Sequence, residues 1–119
     1  MNSKQYAVLG LGIFGSTVAT TLAEYGCEVI AVDQDESCVE RVADEVTKAV
    51  VANVTDQEEL RAIGIEDIDV AIVAIGTHLE EAVLATMNLK ELGVPYVIAK
   101  AKNLSLIHIS EPTRLRRIS

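Results

Sequence analysis

Three glycines near the start of the chain have the spacing of a phosphate-binding loop. Residues 10–15 read GLGIFG, directly after a short apolar run and at the start of a segment with helical periodicity. In this context G-x-G-x-x-G is the fingerprint of a dinucleotide-binding βαβ unit. Gly10 allows a tight turn, Gly12 lets backbone N–H groups approach a phosphate, and Gly15 lets the helix pack on the sheet. The positive end of that helix favours an anion without any basic side chain.

A carboxylate follows at the position expected of a ribose-binding residue. Asp33 ends a second apolar run, 18 residues after Gly15. Its oxygens can accept hydrogen bonds from ribose hydroxyls, and its charge would repel a 2′-phosphate. The pattern therefore favours NAD, or another adenosine ribose without that phosphate, over NADP. The alternative is that Gly10 and Gly15 serve only the turn and the packing.

Other polar residues at the same edge allow two interpretations each. Asp35 either touches the ligand or caps the next helix. Gly76 either permits close approach of the ligand or ends a strand. His78 is a candidate general base or a solvated residue at a helix start. Lys100 either faces the phosphates or lies on the surface. Four glutamates are interpreted as helix N-terminal acids stabilised by the helix dipole: Glu58, Glu59, Glu80 and Glu81.

The elements that must position these residues alternate along the chain. Apolar runs predict five strands, at residues 6–10, 28–33, 48–52, 69–76 and 96–100. Helices are predicted between them, at residues 13–25, 37–45, 55–64 and 77–92, and the last three open with capping boxes at Ser37, Thr55 and Thr77. Repeated βα units imply parallel strands and right-handed crossovers. The predicted fold class is α/β, a doubly wound, Rossmann-type parallel sheet of about five strands, with the run 69–76 at its centre.

Composition and charge exclude several function classes. Of 119 residues, 50% are hydrophobic but only 3% aromatic, which suits a Val/Ile/Leu/Ala core around a parallel sheet. The net charge of −8 opposes nucleic-acid binding and attraction to an acidic membrane surface. We find no apolar run long enough to span a membrane and no signal peptide. Cys27 and Cys38 fit no CxxC or zinc spacing, so we expect free thiols and a cytoplasmic protein.

Residues 104–119 break the alternation. They hold three of the ten basic residues and show no helix cap where another helix is due. The stretch is similar to translated adapter or vector read-through. We therefore expect the nucleotide-binding domain to span residues 1–103 and residues 104–119 to be a non-native or disordered tail. The alternative is a genuine basic tail for an acidic partner.

Four segments in order, residues 6–15, 28–33, 51–56 and 69–76, resemble the TrkA-N domain. This domain is the N-lobe of the RCK family, which regulates conductance of potassium ions, and the likeness is to its bacterial Ktr-type regulatory subunits. It covers about residues 4–103. Because the family's N-lobe continues with another helix and strand, often followed by a C-lobe, we expect this chain to be truncated.

The resemblance implies a set of ligand-binding residues. It places Gly10, Gly12 and Gly15 under the phosphates, Asp33 at the ribose, Asn53, Val54 and Thr55 beside the adenine, and Ile75 and Gly76 in the crevice. The predicted set is completed by Ile13, Phe14, Gln34 and Lys100. Many sequences of this kind carry arginine where Ile13 stands, and an apolar side chain cannot supply its charge-assisted contact to a γ-phosphate. This difference weakens the expectation of ATP and strengthens that of NAD(H) or an AMP-like ligand.

The resemblance also implies a regulatory function rather than an enzyme. We expect a subunit that binds an adenine nucleotide (NAD(H), ATP, ADP or AMP) and no metal. It would form a homo-oligomer of dimers, an octameric ring in the full-length protein, and gate a membrane potassium channel or transporter from the cytoplasmic face. It would bind no nucleic acid and would not itself insert into the membrane. The alternatives are an NAD-binding fragment of a dehydrogenase and an oligomerisation module without a ligand.

Overall fold

A parallel β-sheet forms the centre of the structure. This computed structural model describes residues 4–75, 78–100 and 106–109, with Lys100 and residues 106–109 described by their backbone. The strands are β1 (Gln5–Leu9), β2 (Glu28–Asp33), β3 (Lys48–Val51), β4 (Val70–Val73), β5 (Tyr96–Lys100) and β6 (Leu106–Ile109). The helices are α1 (Ile13–Glu24), α2 (Glu36–Val42), α3 (Gln57–Ala62) and α4 (Leu79–Glu91), with a short 3-10 helix at Ile65–Asp67.

The strand order brings the glycine-rich loop to the middle of the sheet. The order is β3-β2-β1-β4-β5-β6, and β1 to β5 run parallel. Leu9 at the end of β1 lies opposite Val32 of β2 and Val73 of β4. Because parallel strands share one carboxyl edge, the loops that follow β1, β2, β3 and β4 meet there. The predicted α/β class, the doubly wound parallel sheet and the interior position of β4 are confirmed.

Both faces of the sheet are covered by helices. Side chains alternate along β1, so that Val8 lies in the core beneath α1 and α2 while Ala7 and Leu9 lie in the core beneath α3 and α4. Such two-sided burial explains why the strands read as continuous apolar runs. In the described part of the chain, no helix has both the length and the apolar character needed to cross a bilayer.

An antiparallel strand extends one edge of the sheet. β6 pairs with β5, with Ile98 opposite His108 and Lys100 opposite Leu106. This strand lies within the segment predicted to be a non-native or disordered tail. An open strand edge offers N–H and C=O groups to any extended segment, so the pairing does not distinguish a native strand from a foreign one. The origin of residues 104–119 stays a prediction.

The start of α2 corrects one predicted capping box. Asp35, not Ser37, is the N-cap, and its carboxylate accepts hydrogen bonds from the Ser37 hydroxyl at 2.8 Å and the Ser37 backbone N–H at 3.0 Å. These two bonds, the hydroxyl's first, hold the pKa of Asp35 below its ordinary value. A carboxylate is the better acceptor at the positive end of a helix. Asp35 therefore takes the capping role, one of the two considered for it.

The start of α3 shows the same shift toward an aspartate. Asp56 is the N-cap and accepts from the backbone N–H groups of Glu58 and Glu59, whereas Thr55 lies outside the helix. At α4 the N-cap is His78, which makes no side-chain capping bond, and the predicted box residue Thr77 lies outside the described residues.

The ends of α2 and β4 differ most from the predicted ones, by three residues each. α2 ends at Val42 rather than at residue 45, because Asp44 and Glu45 are unfavourable at the negative end of a helix. β4 ends at Val73, although the N–H of Ala74 still donates to the Leu9 carbonyl at 2.7 Å. The chain therefore leaves the sheet earlier than predicted.

The first helix is held against the first strand by a contact between two glycines. Gly10 has φ = 100°, a conformation that favours glycine. A Cβ added to Gly15 would overlap the Gly10 carbonyl oxygen and lie 2.9 Å from its carbonyl carbon. Backbone atoms cannot rotate away as a flexible side chain can. Gly15 is therefore required by packing, whatever the chain binds.

We predict that Gly15→Ala destabilises the fold by about 3 kcal/mol or more, at the upper end of the usual cost of overpacking, because the new methyl group meets backbone. Chemical denaturation gives the free energy of unfolding. The matched control is Gly12→Ala, since a Cβ at Gly12 meets nothing within 4 Å. The control should stay within about 1 kcal/mol of the parent chain. Equal stability of the two variants would contradict the packing role of Gly15.

Candidate functional site

A cleft of about 370 Å³ opens at the carboxyl edge of the sheet. It lies where the loops after β1, β2, β3 and β4 converge. The predicted site residues that line it are Gly10, Gly12, Ile13, Phe14, Asp33, Gln34, Asn53, Val54 and Ile75. Residues predicted from four separate stretches of sequence are thus brought together in one cavity. Its volume lies in the range typical of small-molecule and cofactor sites.

The floor of the cleft is the N-terminus of α1. Gly12 is the N-cap, and its carbonyl accepts the first helical bond, from the Ser16 N–H at 2.9 Å. The helix has no side-chain capping bond and no acidic residue in its first turn. By contrast, α2, α3 and α4 each carry acidic residues in their first turn. The partial positive charge at this end of α1 therefore faces the cleft without a neutralising carboxylate from its own first turn.

Among the described glycines, Gly12 is the one that neither packing nor a positive φ explains. Its φ of −71° lies outside the region that favours glycine, and the space around its Cβ position is open for 4 Å. Gly12 is exposed and lines the cleft. A side chain there would fill the position from which an anion approaches the backbone. The loop therefore fits a phosphate group.

Asp33 connects two loops of the cleft through its carboxylate. One oxygen accepts from the Leu11 N–H at 2.6 Å, and the other accepts from the Asp35 N–H at 2.8 Å. The Gly10 N–H donates to the Val32 carbonyl at 2.8 Å beside them. The half-buried carboxylate thus fixes the glycine-rich loop to the turn after β2. This structural role adds to the ribose-binding role predicted from the sequence.

The loop after β3 is fixed by a network around Asn53. The Asn53 side-chain oxygen accepts from the Thr55 hydroxyl at 2.7 Å and the Thr55 N–H at 3.0 Å. The Asn53 N–H donates to the Glu59 carboxylate at 2.7 Å. Asn88 of α4 donates to the Val54 carbonyl at 3.4 Å. Asn53 and Val54 line the cleft, whereas Thr55 supports Asn53 from outside it.

One further predicted residue lies outside the cleft, and two others lie outside the part of the chain that the structure describes. Gly15 packs beneath the loop against Gly10 and is not part of the lining. Gly76 and the side chain of Lys100 lie outside the described residues. Their binding roles stay predictions.

Five lining residues were absent from the predicted set: Leu11, Ala52, Ala74, His78 and Glu81. Ala52 and Ala74 directly follow β3 and β4 at the carboxyl edge of the sheet. Small residues at these positions in the sequence could have indicated that they line a ligand cleft. His78 is exposed and lines the cleft, which is compatible with both of its predicted roles, general base and solvated residue at a helix start. Glu81, interpreted only as a helix acid, is half-buried at the cleft wall. Within the described residues, no group of three His, Cys, Asp or Glu side chains converges to hold a metal.

The strand order, the glycine-rich loop and the cleft define a Rossmann-type domain of the dinucleotide-binding class. The TrkA-N domain family matches residues 6–115, nearly the whole chain. The chain belongs to the TrkA-N domain family. The match extends beyond the predicted domain boundary at residue 103 into the segment that contains β6.

Curated relatives come from bacterial potassium uptake systems. The chain is 43% identical over 103 residues to Ktr system potassium uptake protein A of Bacillus subtilis, covering 87% of this chain and 46% of that protein. It is 42% identical to Ktr system potassium uptake protein C of the same organism over 84% of this chain and 45% of the relative. Protein A of Vibrio alginolyticus is 41% identical over 84% of this chain and 46% of its own length. The chain therefore spans less than half the length of these relatives.

Solved structures with the same fold include nucleotide-binding domains. The NAD(P)-binding domain of an exopolyphosphatase-related protein from Archaeoglobus fulgidus is 25% identical, with a TM-score of 0.69 over 94% of this chain and 77% of that one. Saccharopine dehydrogenase from Saccharomyces cerevisiae shares the fold at 22% identity, with a TM-score of 0.69 over 98% of this chain and 24% of its own.

We predict that Asp33→Ala lowers the free energy of unfolding by about 1–3 kcal/mol, because the Leu11 N–H loses its acceptor in a part-buried position. Asp33→Asn keeps one acceptor oxygen and should lose less. Urea denaturation measures both. Glu40→Ala removes an exposed carboxylate on α2 and should change stability by less than about 0.5 kcal/mol. An Asp33→Ala variant as stable as this control would show that the carboxylate does not hold the loop.

Proposed function

We propose that this chain is the nucleotide-sensing part of a regulatory subunit for a membrane potassium channel or transporter. The observation that carries the proposal is its 41–43% identity to Ktr potassium uptake proteins over 100–103 residues, which is 84–87% of this chain. The proposed ligand is an adenine nucleotide: NAD(H), ATP, ADP or AMP. A subunit of this kind works by binding rather than by turnover.

The cleft supplies the contacts such a ligand needs. Backbone N–H groups around Gly12 and the positive end of α1 would hold the phosphates. The Asp33 carboxylate would accept from the ribose hydroxyls, and its charge disfavours a 2′-phosphate, as in NADP. Asn53 and Val54 would border the adenine. Lys100, the last residue of β5, and Gly76, which follows β4 in the sequence, are further proposed contacts at the same edge.

Regulation requires that the ligand bind two shapes of the assembly with different affinity. The loops that would touch the ligand are joined to the rest of the domain by short hydrogen bonds, through Asp33 on one side and Asn53 on the other. The Asp33 carbonyl also accepts from the Ala52 N–H at 3.0 Å, so Asp33 joins the glycine-rich loop to the start of the loop after β3. This coupling supports a sensing role for the cleft.

Assembly into a homo-oligomer, dimers that build a ring, is part of the proposal. On α4 the large apolar side chains of Leu79, Val83, Leu84 and Met87 are exposed. Leu79, Val83 and Met87 recur at every fourth residue and so lie on one helix face. Exposed apolar patches of this kind mark protein–protein contact surfaces. The ring would sit on the cytoplasmic side of its membrane partner.

A dehydrogenase fragment is the second candidate. The observation that favours it is His78, an exposed imidazole at the wall of the same cleft, together with the shared fold of saccharopine dehydrogenase. Incubation with NAD and candidate hydroxy or amino acid substrates, followed through NADH absorbance, distinguishes an enzyme from a sensor. Binding without turnover favours the sensor.

We predict that calorimetric titration detects binding of at least one of NAD, NADH, AMP, ADP and ATP. Gly12→Ala should weaken that binding at least about tenfold, because a methyl group would occupy the phosphate approach. Its stability should stay near that of the parent chain, which separates loss of binding from loss of fold. Folded parent protein that binds none of the five nucleotides would contradict the proposal.

We further predict that potassium uptake by vesicles containing a Ktr-type membrane subunit changes when this chain and its nucleotide are added together. The nucleotide shifts the assembly between two shapes, and the membrane partner responds. Gly12→Ala with the same nucleotide is the control and should leave uptake at the nucleotide-free rate. Uptake that ignores the nucleotide, although the chain binds both nucleotide and membrane subunit, would rule out gating.

A further inference from the structure

The cleft has two arms on either side of the glycine-rich loop. Because β2 and β3 lie on one side of β1 and β4 on the other, the lining residues divide in the same way. We call the side with Asp33, Asn53 and Val54 the first arm. The side with Ile75, His78 and Glu81 is the second arm. The N-terminus of α1 lies between them.

A nucleotide held as proposed would place its distal end in the second arm. With the ribose at Asp33 and the first phosphates at Gly12, AMP would end at the loop. ADP and ATP would direct their last phosphates beyond it, and NAD would direct its nicotinamide riboside there. The charge of the second arm therefore determines whether a ligand with an anionic distal end or one with a neutral or cationic distal end binds more tightly.

We propose that Glu81 is the residue that makes this choice, and that the cleft favours a pyridine dinucleotide over a nucleoside triphosphate. This inference rests on the proposed nucleotide-binding function. Glu81 is the third residue of α4, half-buried, and lines the second arm. Its carboxylate repels a terminal phosphate, attracts the oxidised nicotinamide ring and accepts hydrogen bonds from ribose hydroxyls.

Two further features of the cleft also favour a pyridine dinucleotide over a nucleoside triphosphate. Ile13, at the first helical position of α1, exposes 89% of its surface and lines the cleft. An aliphatic side chain can cover one face of a nicotinamide ring but offers nothing to a phosphate. Asp33 adds a second carboxylate to the lining, whereas the described lining residues include no lysine or arginine. Among the lining residues that the structure describes, which leave out the Lys100 side chain, the balance of charge therefore opposes each added phosphate.

The matched control lies next to Glu81 in the sequence. Glu80 carries the same charge in the same turn of α4, but it is exposed and does not line the cleft. Glu80→Gln therefore removes an equal charge and an equal interaction with the helix dipole. Any change in nucleotide affinity in Glu81→Gln beyond that in Glu80→Gln is therefore due to the position of Glu81 in the cleft.

The test is calorimetric titration of parent chain, Glu81→Gln and Glu80→Gln with NAD, ATP and AMP, without added divalent cation. We expect the parent to bind NAD more tightly than ATP. Glu81→Gln should reduce the NAD-to-ATP affinity ratio about fivefold, the effect of one unit charge near a solvated site. Affinity for AMP, which does not enter the second arm, should stay unchanged. Circular dichroism checks that both variants are folded.

The possible results distinguish failure of this inference from failure of the proposed nucleotide-binding function. Parent chain that binds ATP as tightly as NAD overturns the proposed selectivity. An unchanged ratio in Glu81→Gln, or an equal change in Glu80→Gln, overturns the role of Glu81 but leaves nucleotide binding intact. Parent chain that binds none of the three overturns the proposed function and this inference with it.

Discussion

The close approach of α1 to the end of β1 sets the positions of the glycine-rich loop, the helix terminus and the cleft. It is possible because Gly15 presents no Cβ to the Gly10 carbonyl. The contact aims the positive end of α1 along the carboxyl edge of the sheet, next to the loops after β2 and β4. A chain with 18 acidic and 10 basic residues can therefore offer an anion a favourable position through backbone alone.

The charges of the site are arranged around this helix end rather than spread along the cleft. α2 and α3 have their positive ends capped by Asp35 and Asp56. α1 is left for a ligand, while Asp33 and Glu81 stand on either side of it. Attraction at the centre and repulsion at both ends give a field that selects ligands by where their charge lies. If the proposed function holds, affinity for phosphate and discrimination between nucleotides would thus arise from different residues.

The fold and the centre of the site could be predicted because they depend on local pattern. Alternating apolar runs and the glycine spacing specify β1, α1 and the crossover to β2, and the cleft forms where they meet. The caps could not be assigned in the same way, since Asp35 and Ser37 are both good N-caps and backbone geometry decides between them. The position of Glu81 in the cleft wall depends on where β4 ends and how α4 lies against the sheet. Local sequence pattern does not specify that long-range packing.

The two hydrogen bonds to Asp33 affect the entropy that a ligand must overcome to bind there. Each carboxylate oxygen has two lone pairs, and the Leu11 and Asp35 N–H groups use one on each. One acceptor position per oxygen is left for a pair of neighbouring hydroxyls. The two bonds restrain the side chain before any ligand is present, so the proposed ribose would cost little further conformational entropy at this residue. The proposed ribose acceptor is therefore preorganised by the same bonds that hold the loop.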